Sequence, residues 1–295
     1  DKLDALFRRM GYMPVARHKS KAITLYRQGD ITYVLNAEPS SHAMRFVEEH
    51  GPCAPSMACR VVDARHAFEH AVSKGATPYL GDDKALNVPA IVGIGGSLLY
   101  FIETYGAKGS AYDDEFEWLG ERDPRPAGVG FYYLDHLTHN VYRGNMDKWW
   151  DFYRDMFGFK QIHFFDIDGR ITGLMSRAIT SPCGKIRIPL NESKDDNSQI
   201  EEYLKKYKGE GIQHIAVGTD GIYDATDKLA ANGLKFMPGP PETYYEMSHE
   251  RVNGHDEPIE RMKKHGILID GEGVLDGGTT KILLQIFSKT VIGPI

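Results

Sequence analysis

The sequence predicts an α+β protein built from two tandem halves that repeat one plan. Each half has an early amphipathic helix that ends in a Gly-aromatic pair, and the interval from Ser56 to Gly75 equals the interval from His214 to Gly233. Segments repeated at a matching spacing indicate a duplicated unit. Short strands alternating with few long helices favour the α+β class. Features shared by both halves are therefore expected to serve folding, and features of one half are candidates for chemistry.

The boundary between the halves is predicted at residues 121–130, where two prolines and two glycines stand among charged residues. Proline and glycine are the strongest local breakers of regular structure, so this composition is typical of a linker. The linker separates an N-terminal domain of residues 1–120 from a C-terminal domain of residues 131–295.

In the first half, residues 3–12 have apolar positions at helical spacing and close on a Gly-aromatic pair. Strand-like segments follow, including residues 33–36. Residues 56–61 predict a further strand, which leads into a helix ending at Gly75. The glycines of residues 93–96 lack the Lys-Ser/Thr ending of a phosphate loop, which favours a tight connection between strands.

The second half repeats these elements. Residues 145–159 predict a helix that begins after Asn145, a residue type that caps helix N-termini, and closes on the same Gly-aromatic pair. Residues 188–191 match a strand of the first half, and residues 214–219 begin a strand that leads into a helix ending at Gly233.

Composition excludes several classes of function. Among 295 residues, 41 are acidic and 35 are Lys or Arg, giving a net charge of −6. That balance argues against a nucleic-acid-binding protein, which needs clustered positive charge. The sequence contains no run of about 18 apolar residues, so it predicts no membrane-spanning helix. The first residues are polar and charged, without the pattern of a signal peptide.

The three cysteines, Cys53, Cys59 and Cys183, predict a reducing compartment. They show neither the density of a disulfide framework nor CxxC spacing, so we expect a cytoplasmic protein. Cys183 follows Pro182 in a predicted turn, where a spectator role is favoured over a nucleophilic one.

Two of the 12 histidines are candidates for metal binding. His136 lies in the first strand after the linker, and His214 stands where the first half has Ser56. Side chains from two such strands can converge inside a curved sheet. Two neutral imidazoles and one carboxylate form the facial triad of non-haem Fe(II) oxygenases. The alternative is that each is a structural core histidine, which is the interpretation favoured for His139 because it faces the other side of its strand.

Five segments together resemble the 4-hydroxyphenylpyruvate dioxygenase family of the vicinal-oxygen-chelate superfamily. These segments are residues 134–144, 186–192, 209–214, 240–247 and 283–288. The resemblance runs through nearly the whole chain. It implies two tandem domains, each of paired βαβββ modules that form an open, barrel-like, glyoxalase-like sheet, with the iron site in the second domain.

The resemblance also implies an activity. A member of this family would convert 4-hydroxyphenylpyruvate and O2 to homogentisate and CO2 in the catabolism of tyrosine and phenylalanine, with Fe(II) as cofactor. Because the substrate is itself an α-keto acid, no separate 2-oxoglutarate is expected. No nucleic acid or membrane partner is implied, and a homo-oligomer, a dimer or tetramer, is expected.

Site residues are carried over from the family position by position. His136 and His214 match the two iron-binding histidines. Catalytic roles fall to Gln285, Gln199 and Gln213. Residues expected to line the substrate pocket are Ser176, Asn191, Gln199, Gln213, Gln285 and Phe287. Asn191 has an alternative interpretation as a turn residue, because Asn36 occupies the equivalent place in the first half.

The third ligand of the family is a Glu that follows a Gly-Pro pair, here Gly293-Pro294. By comparison with the internal repeat, this Glu is expected about three residues beyond Ile295. The closing helix of the site and the strand before Asp1 are also expected outside the span, so residues 1–295 alone are predicted to be inactive. The alternatives are a 4-hydroxymandelate synthase, or a non-catalytic fragment or binding module of the same fold.

Overall fold

A computed structural model describes residues 2–167, 173–274 and 280–295, and it shows an α+β protein. The elements of the first half are α1 (Lys2–Arg9), β1 (Met13–His18), β2 (Ile23–Gln28), β3 (Ile31–Asn36), α2 (His42–His50), β4 (Ser56–Arg60), α3 (Ala64–Ser73), β5 (Ala90–Val92), β6 (Leu98–Ile102) and β7 (Phe116–Trp118). Short 3-10 turns cover Ile94–Gly96 and Gly106–Lys108. The predicted tight connection at residues 93–96 is confirmed, since it joins β5 to β6.

The second half begins with the strand that carries His136. Its elements are β8 (Tyr133–Val141), α4 (Met146–Phe157), β9 (Lys160–Ile167), β10 (Leu174–Thr180), β11 (Arg187–Ser193), α5 (Gln199–Tyr207), β12 (Gly211–Gly218), α6 (Ile222–Ala231), α7 (Glu242–Glu246), α8 (Ser248–Arg251), α9 (Ile259–His265), β13 (Leu268–Val274) and β14 (Thr280–Gln285). Among the described residues, 121–130 lie between β7 and β8 and contain no helix or strand.

The repeat predicted from the spacing is visible in the structure. Strand β4 leads into α3 as β12 leads into α6. Each helix is followed by a single antiparallel bridge, Pro78 to Ile91 in the first half and Phe236 to Ser288 in the second. Both bridges begin three residues after the glycine that ends the helix. The insertion that holds α7, α8 and α9 lengthens only the second copy.

The strands form four sheets within the described residues. Their orders are β3-β2-β1-β7, β4-β6-β5, β12-β8-β11-β10-β9 and β13-β14. Most neighbours are antiparallel, but β4 with β6 and β8 with β11 are parallel. Strand β9 forms the edge of the five-stranded sheet, and residues 160–166 are all exposed.

One face of the five-stranded sheet packs against α4. Val141, Ile179 and Leu190 are fully buried on this face, against Trp149 and Tyr153 of the helix. The same hydrophobic cluster includes side chains of α3 and β6, so it joins the two halves. Because strand side chains alternate, the residues one position along each strand point to the opposite face, where the candidate site lies.

The end of the linker and the first residue after it are held by one buried side chain. The Oε1 atom of Gln28 accepts hydrogen bonds from the backbone N–H groups of Val129, Gly130 and Phe131 at 2.7, 3.2 and 3.2 Å. Its Nε2 donates to the carbonyl of Met10 at 3.0 Å. Gln28 therefore fixes the start of the second half against β2 of the first.

No helix in the described part of the chain is both long and apolar enough to cross a bilayer.

Candidate active site

His136 and His214 are brought together by the pairing of β8 with β12. In this antiparallel pair His214 lies opposite Thr138 and Ala216 opposite His136, so both imidazoles project from the same face of the sheet. Their Nε2 atoms are 3.2 Å apart, and the ring centroids 5.3 Å. The convergence predicted from two separate strand positions is confirmed.

Each imidazole is oriented through its other nitrogen. The Nδ1 of His136 lies 2.7 Å from Oδ2 of Asp135, and the Nδ1 of His214 lies 2.7 Å from Oε1 of Gln213. Both acceptors are oxygens, so each ring carries its proton on Nδ1 when neutral and leaves a lone pair on Nε2. A second nitrogen fixed in this way is the usual arrangement of metal-binding histidines.

This arrangement fits a divalent metal. Two facing lone pairs repel unless a cation lies between them. Two nitrogens about 2.1 Å from one metal, in adjacent coordination positions, lie about 3.0 Å apart, close to the observed 3.2 Å. Within the described residues no third His, Cys, Asp or Glu completes a metal-binding group. Two imidazoles placed in this way have the chemistry of two of the three ligands in a facial triad.

The protonation of His214 suits a ligand. Burial, followed by the nearby His136, lowers the pKa of His214 from 6.5 to about 4. Its imidazole is therefore neutral near pH 7 and able to bind a metal. The Oγ1 of Thr138 lies 2.8 Å from Nε2 of His214 and can donate to its lone pair. Thr138 was not singled out from the sequence, although its place two residues after His136 puts it on the same face.

A row of polar side chains crosses the same face of the sheet. Strand pairing places Asn191 beside Asn140 on one side and Ser176 on the other. Phe165 of β9 follows opposite Ser176 and is 49% exposed. Asn140 is four residues from His136 along β8, about 13 Å. The predicted pocket residues Ser176 and Asn191 therefore share the histidine face and lie to one side of the histidines.

A second wall comes from the segment at the end of β14. The ring of Phe287 stands perpendicular to that of His214, with centroids 5.9 Å apart, and it is 42% exposed. Gln285, the last residue of β14, is partly buried and precedes Phe287 by two positions. The structure thus brings Phe287 to His214, and its place beside the substrate pocket stays a prediction.

Comparisons with known proteins agree with this geometry. Residues 1–117 match the family model described as "Hydroxyphenylpyruvate dioxygenase, HPPD, N-terminal". Residues 133–257 match that of the Glyoxalase/Bleomycin resistance protein/Dioxygenase superfamily. The chain is 51% identical to a 4-hydroxyphenylpyruvate dioxygenase of Pseudomonas aeruginosa, over 100% of this chain and 82% of that protein. This chain belongs to the 4-hydroxyphenylpyruvate dioxygenase family.

Two further proteins are similar to nearly the whole of this chain. It is 52% identical to hemolysin VllY of Vibrio vulnificus, over 100% of this chain and 82% of that protein. A solved fusion of a xylose isomerase-like TIM barrel with a 4-hydroxyphenylpyruvate dioxygenase superimposes with a TM-score of 0.82 at 30% identity, covering 99% of this chain and 45% of that one. The vicinal-oxygen-chelate fold inferred from the sequence is therefore confirmed.

Two of the predicted glutamines have surroundings that the family resemblance did not indicate. Gln199 is the first residue of α5 and is exposed, one position after Ser198, whose hydroxyl caps the helix. Gln213 is the extra residue of a bulge in β12, and its amide oxygen contacts His214. The predicted catalytic role of each remains a prediction, but Gln213 is placed to orient a metal ligand.

His139 and Cys183 are the other residues that the sequence analysis considered. His139 is fully buried on the α4 face, and its Nε2 lies 2.7 Å from the hydroxyl of Tyr153. Cys183 is exposed in the turn between β10 and β11, where hydrogen bonds, the first from Ser181, lower the pKa of its thiol. The structural interpretation of His139 is confirmed.

Asp135, Arg187 and Phe165 are site residues that sequence reasoning missed. Arg187 donates to Asp135 at 2.9 Å and so extends the contacts of His136 to a third strand. Period-two alternation assigns Asp135 to the opposite face from His136, so the pattern contained no signal for this contact. Phe165 could have been found, because it lies opposite Ser176 in the antiparallel pair of β9 with β10.

Proposed function

We propose that this chain is the core of an Fe(II)-dependent dioxygenase that converts 4-hydroxyphenylpyruvate and O2 to homogentisate and CO2 in tyrosine and phenylalanine catabolism. The observation that supports this proposal most strongly is the distance of 3.2 Å between the Nε2 atoms of His136 and His214. An acceptor at Nδ1 orients each of the two rings. The family membership supplies the substrate and the reaction.

The proposed reaction balances without another reductant. The substrate carboxylate leaves as CO2, the keto carbon becomes the new carboxylate, and the ring gains a hydroxyl while its side chain moves to the neighbouring carbon. The two oxygen atoms of O2 enter the new carboxylate and the new hydroxyl. When bound, Fe(II) supplies the redox chemistry with dioxygen and a point of chelation for the α-keto acid.

His136 and His214 would hold the metal, with the predicted Glu beyond Ile295 as third ligand. Gln213 orients His214 by accepting its Nδ1 proton. Thr138 is placed to donate to the Nε2 lone pair of the same ring, so a bound metal would take the place of this hydrogen bond. The acceptors at the two Nδ1 atoms, Asp135 and Gln213, favour the tautomer whose Nε2 lone pair is available to a metal.

The substrate-binding roles are proposed for neutral side chains. Ser176, Asn191 and Gln285 can hydrogen-bond a phenol or a carboxylate without adding a charge that competes with the metal. Phe287, close to His214, offers an apolar edge against which an aromatic ring can pack. The exposed Phe165 extends this apolar surface at the far side of the polar row.

A cytoplasmic homo-oligomer, a dimer or tetramer, is also part of this proposal. All three cysteines are free thiols, which suits a reducing compartment. Strand β9 presents the exposed side chains of Ile162, Phe164 and Phe165 at a sheet edge. An unpaired apolar edge favours strand pairing between chains.

The decisive experiment follows O2 uptake and products together. The complete encoded protein is reconstituted with Fe(II) without oxygen, then mixed with 4-hydroxyphenylpyruvate and O2. We expect one CO2 and one homogentisate for each O2 consumed. 4-Hydroxymandelate as the main product would establish the synthase instead. Absence of substrate-dependent O2 uptake by a protein that has bound iron would overturn the enzymatic proposal.

A further inference from the structure

The two histidines of the site have chemically different supports. The acceptor at His214 is the neutral amide of Gln213, whereas the acceptor at His136 is the carboxylate of Asp135. A charged acceptor makes a stronger hydrogen bond than a neutral one. The site is therefore asymmetric before any metal or substrate arrives.

Asp135 is itself fixed from a third strand. Its Oδ2 lies 2.7 Å from Nδ1 of His136, while its Oδ1 accepts from the guanidinium of Arg187 at 2.9 Å. Arg187 is the first residue of β11, which runs parallel to β8. Each carboxylate oxygen thus has its own partner.

The side chains of this group are all partly exposed to solvent. His136 is 27% exposed, Asp135 33% and Arg187 43%, so water has access to all three. A partly exposed imidazole can rotate, or move its proton to Nε2, unless a specific acceptor prevents it. With the proton on Nε2 the nitrogen that faces His214 cannot bind a metal.

We propose that Asp135, held in place by Arg187, is a positioning residue that keeps the Nε2 of His136 free for the metal. This inference rests on the proposed function, because it assumes that the two histidines bind a divalent metal. Asp135 itself does not touch the metal or the substrate. Arg187 acts through Asp135, which it holds on the His136 side of β8.

The test measures metal affinity without turnover. Fe(II) or Co(II) is titrated into the complete protein in competition with a chromophoric chelator, without oxygen or substrate. Asp135→Ala is expected to weaken metal binding about 10–100-fold, the usual effect of losing an outer partner of a ligand. Asp135→Asn, which keeps a neutral acceptor like that of His214, is expected to recover part of this loss. The matched control is Asp147→Ala, which removes an exposed carboxylate that pairs with Arg177 at 2.8 Å.

The role of Arg187 is tested by a double-mutant cycle. Arg187→Gln is expected to weaken metal binding less than Asp135→Ala does. Combined with Asp135→Ala it should add no further loss, because Arg187 acts through the carboxylate. Nitrogen NMR of the metal-free imidazoles reports the tautomer directly, and Asp135→Ala should move the His136 proton towards Nε2. A merely structural role would leave that tautomer unchanged.

The outcomes separate this inference from the function on which it rests. A metal affinity of Asp135→Ala within twofold of the native value, or an unchanged tautomer, would overturn the positioning role. If the losses of metal affinity caused by Asp135→Ala and Arg187→Gln added in the double variant, Arg187 would have no part in the positioning role. If the native protein bound iron and formed homogentisate while any of these held, only the positioning role would fail. A native protein that bound no metal would overturn the proposed function itself.

Discussion

At one residue position the two repeats differ in a way that matters for chemistry. His214 occupies the place in β12 that Ser56 occupies in β4, and only the second copy brings an imidazole to a second histidine. We expect His214→Ala to weaken metal binding by more than about 100-fold, because losing a ligand exceeds the usual loss of an outer partner. Turnover should disappear with the metal. Metal content after dialysis and O2 uptake are the measurements.

Ser56→Ala is the matched control at the equivalent strand position. It should leave metal content and turnover close to the native values, since the first repeat supplies no ligand. Similar loss of metal from both variants would show that the two copies contribute alike.

Gln285 tests substrate orientation separately from metal binding. Gln285→Met keeps a side chain of similar length but removes the amide, so metal content should stay native. A misplacement of the substrate by about 1 Å can lower the rate about a hundredfold, and we expect kcat to fall by that order. Gln199→Met is the companion variant at the exposed start of α5. Full activity in both would remove these glutamines from the site.

His139 provides a test through pH. Burial lowers its pKa from 6.5 to about 3. As the pH falls the unfolded chain therefore takes up the proton first, so stability present at neutral pH is lost below about pH 6.5 and down to about pH 3. Between about pH 7 and about pH 5 this group alone should cost about 2 kcal/mol of unfolding free energy. Urea unfolding over that range measures it.

His139→Gln should flatten this dependence. The remaining slope comes partly from His214, whose pKa is also lowered. If the variant lost as much stability as the native protein between those pH values, the dependence would belong to other groups.

At the scale of elements, the start of α4 shows what sequence could and could not supply. The helix and its end at Gly158 were predictable from apolar spacing and the Gly-aromatic pair. Asn145 holds the predicted N-cap position, but its side chain makes no capping bond and donates to Glu210 at 2.7 Å. Glu192, from a distant strand, accepts from the N–H of Met146 at 2.9 Å. Because Glu192 lies 46 residues from Met146 along the chain, no local sequence pattern indicates this capping contact.

Glu210 is the stronger of the two buried supports of α4. Its carboxylate accepts from the N–H of Tyr142, from Asn145 and from the indole of Trp149 at 2.9, 2.7 and 2.9 Å. Glu210→Ala leaves the buried indole N–H of Trp149 and two partly buried donors without this acceptor, and we expect a loss of about 3 kcal/mol of unfolding free energy. Chemical unfolding measures the loss.

The control for Glu210→Ala is Glu49→Ala, at a helix position whose side chain is 69% exposed. Surface substitutions of this kind usually change stability by less than about 0.5 kcal/mol. Equal losses in the two variants would mean that the buried contacts of Glu210 contribute nothing beyond those of a surface charge.

At the scale of the whole molecule, the two halves meet through a pair of equivalent contacts. Gly95 precedes β6 in the first half, and a Cβ there would overlap the backbone carbonyl of Glu210. Gly293 holds the corresponding place in the second half, and a Cβ there would overlap the carbonyl of Pro52. Glu210 and Pro52 each lie four residues before the matched pair His214 and Ser56. The repeat is therefore also a pseudo-twofold interface, which no pattern within one half could have indicated.

This symmetry leads to a prediction for the assembly of the halves. Gly95→Ala should lower the Tm markedly, because the new methyl group forces the turn away from Glu210 and carries a left-handed backbone strain at φ +58. Gly106→Ala is the matched control, since it has φ +59 but open space around its Cβ. Backbone strain of about 1–2 kcal/mol corresponds to a few degrees in a domain of this size. Scanning calorimetry should show a decrease in Tm for Gly95→Ala that is at least about twice as large. We expect the same decrease for Gly293→Ala. Equal shifts at Gly95 and Gly106 would show that strain alone, and not the close approach of the halves, requires glycine there.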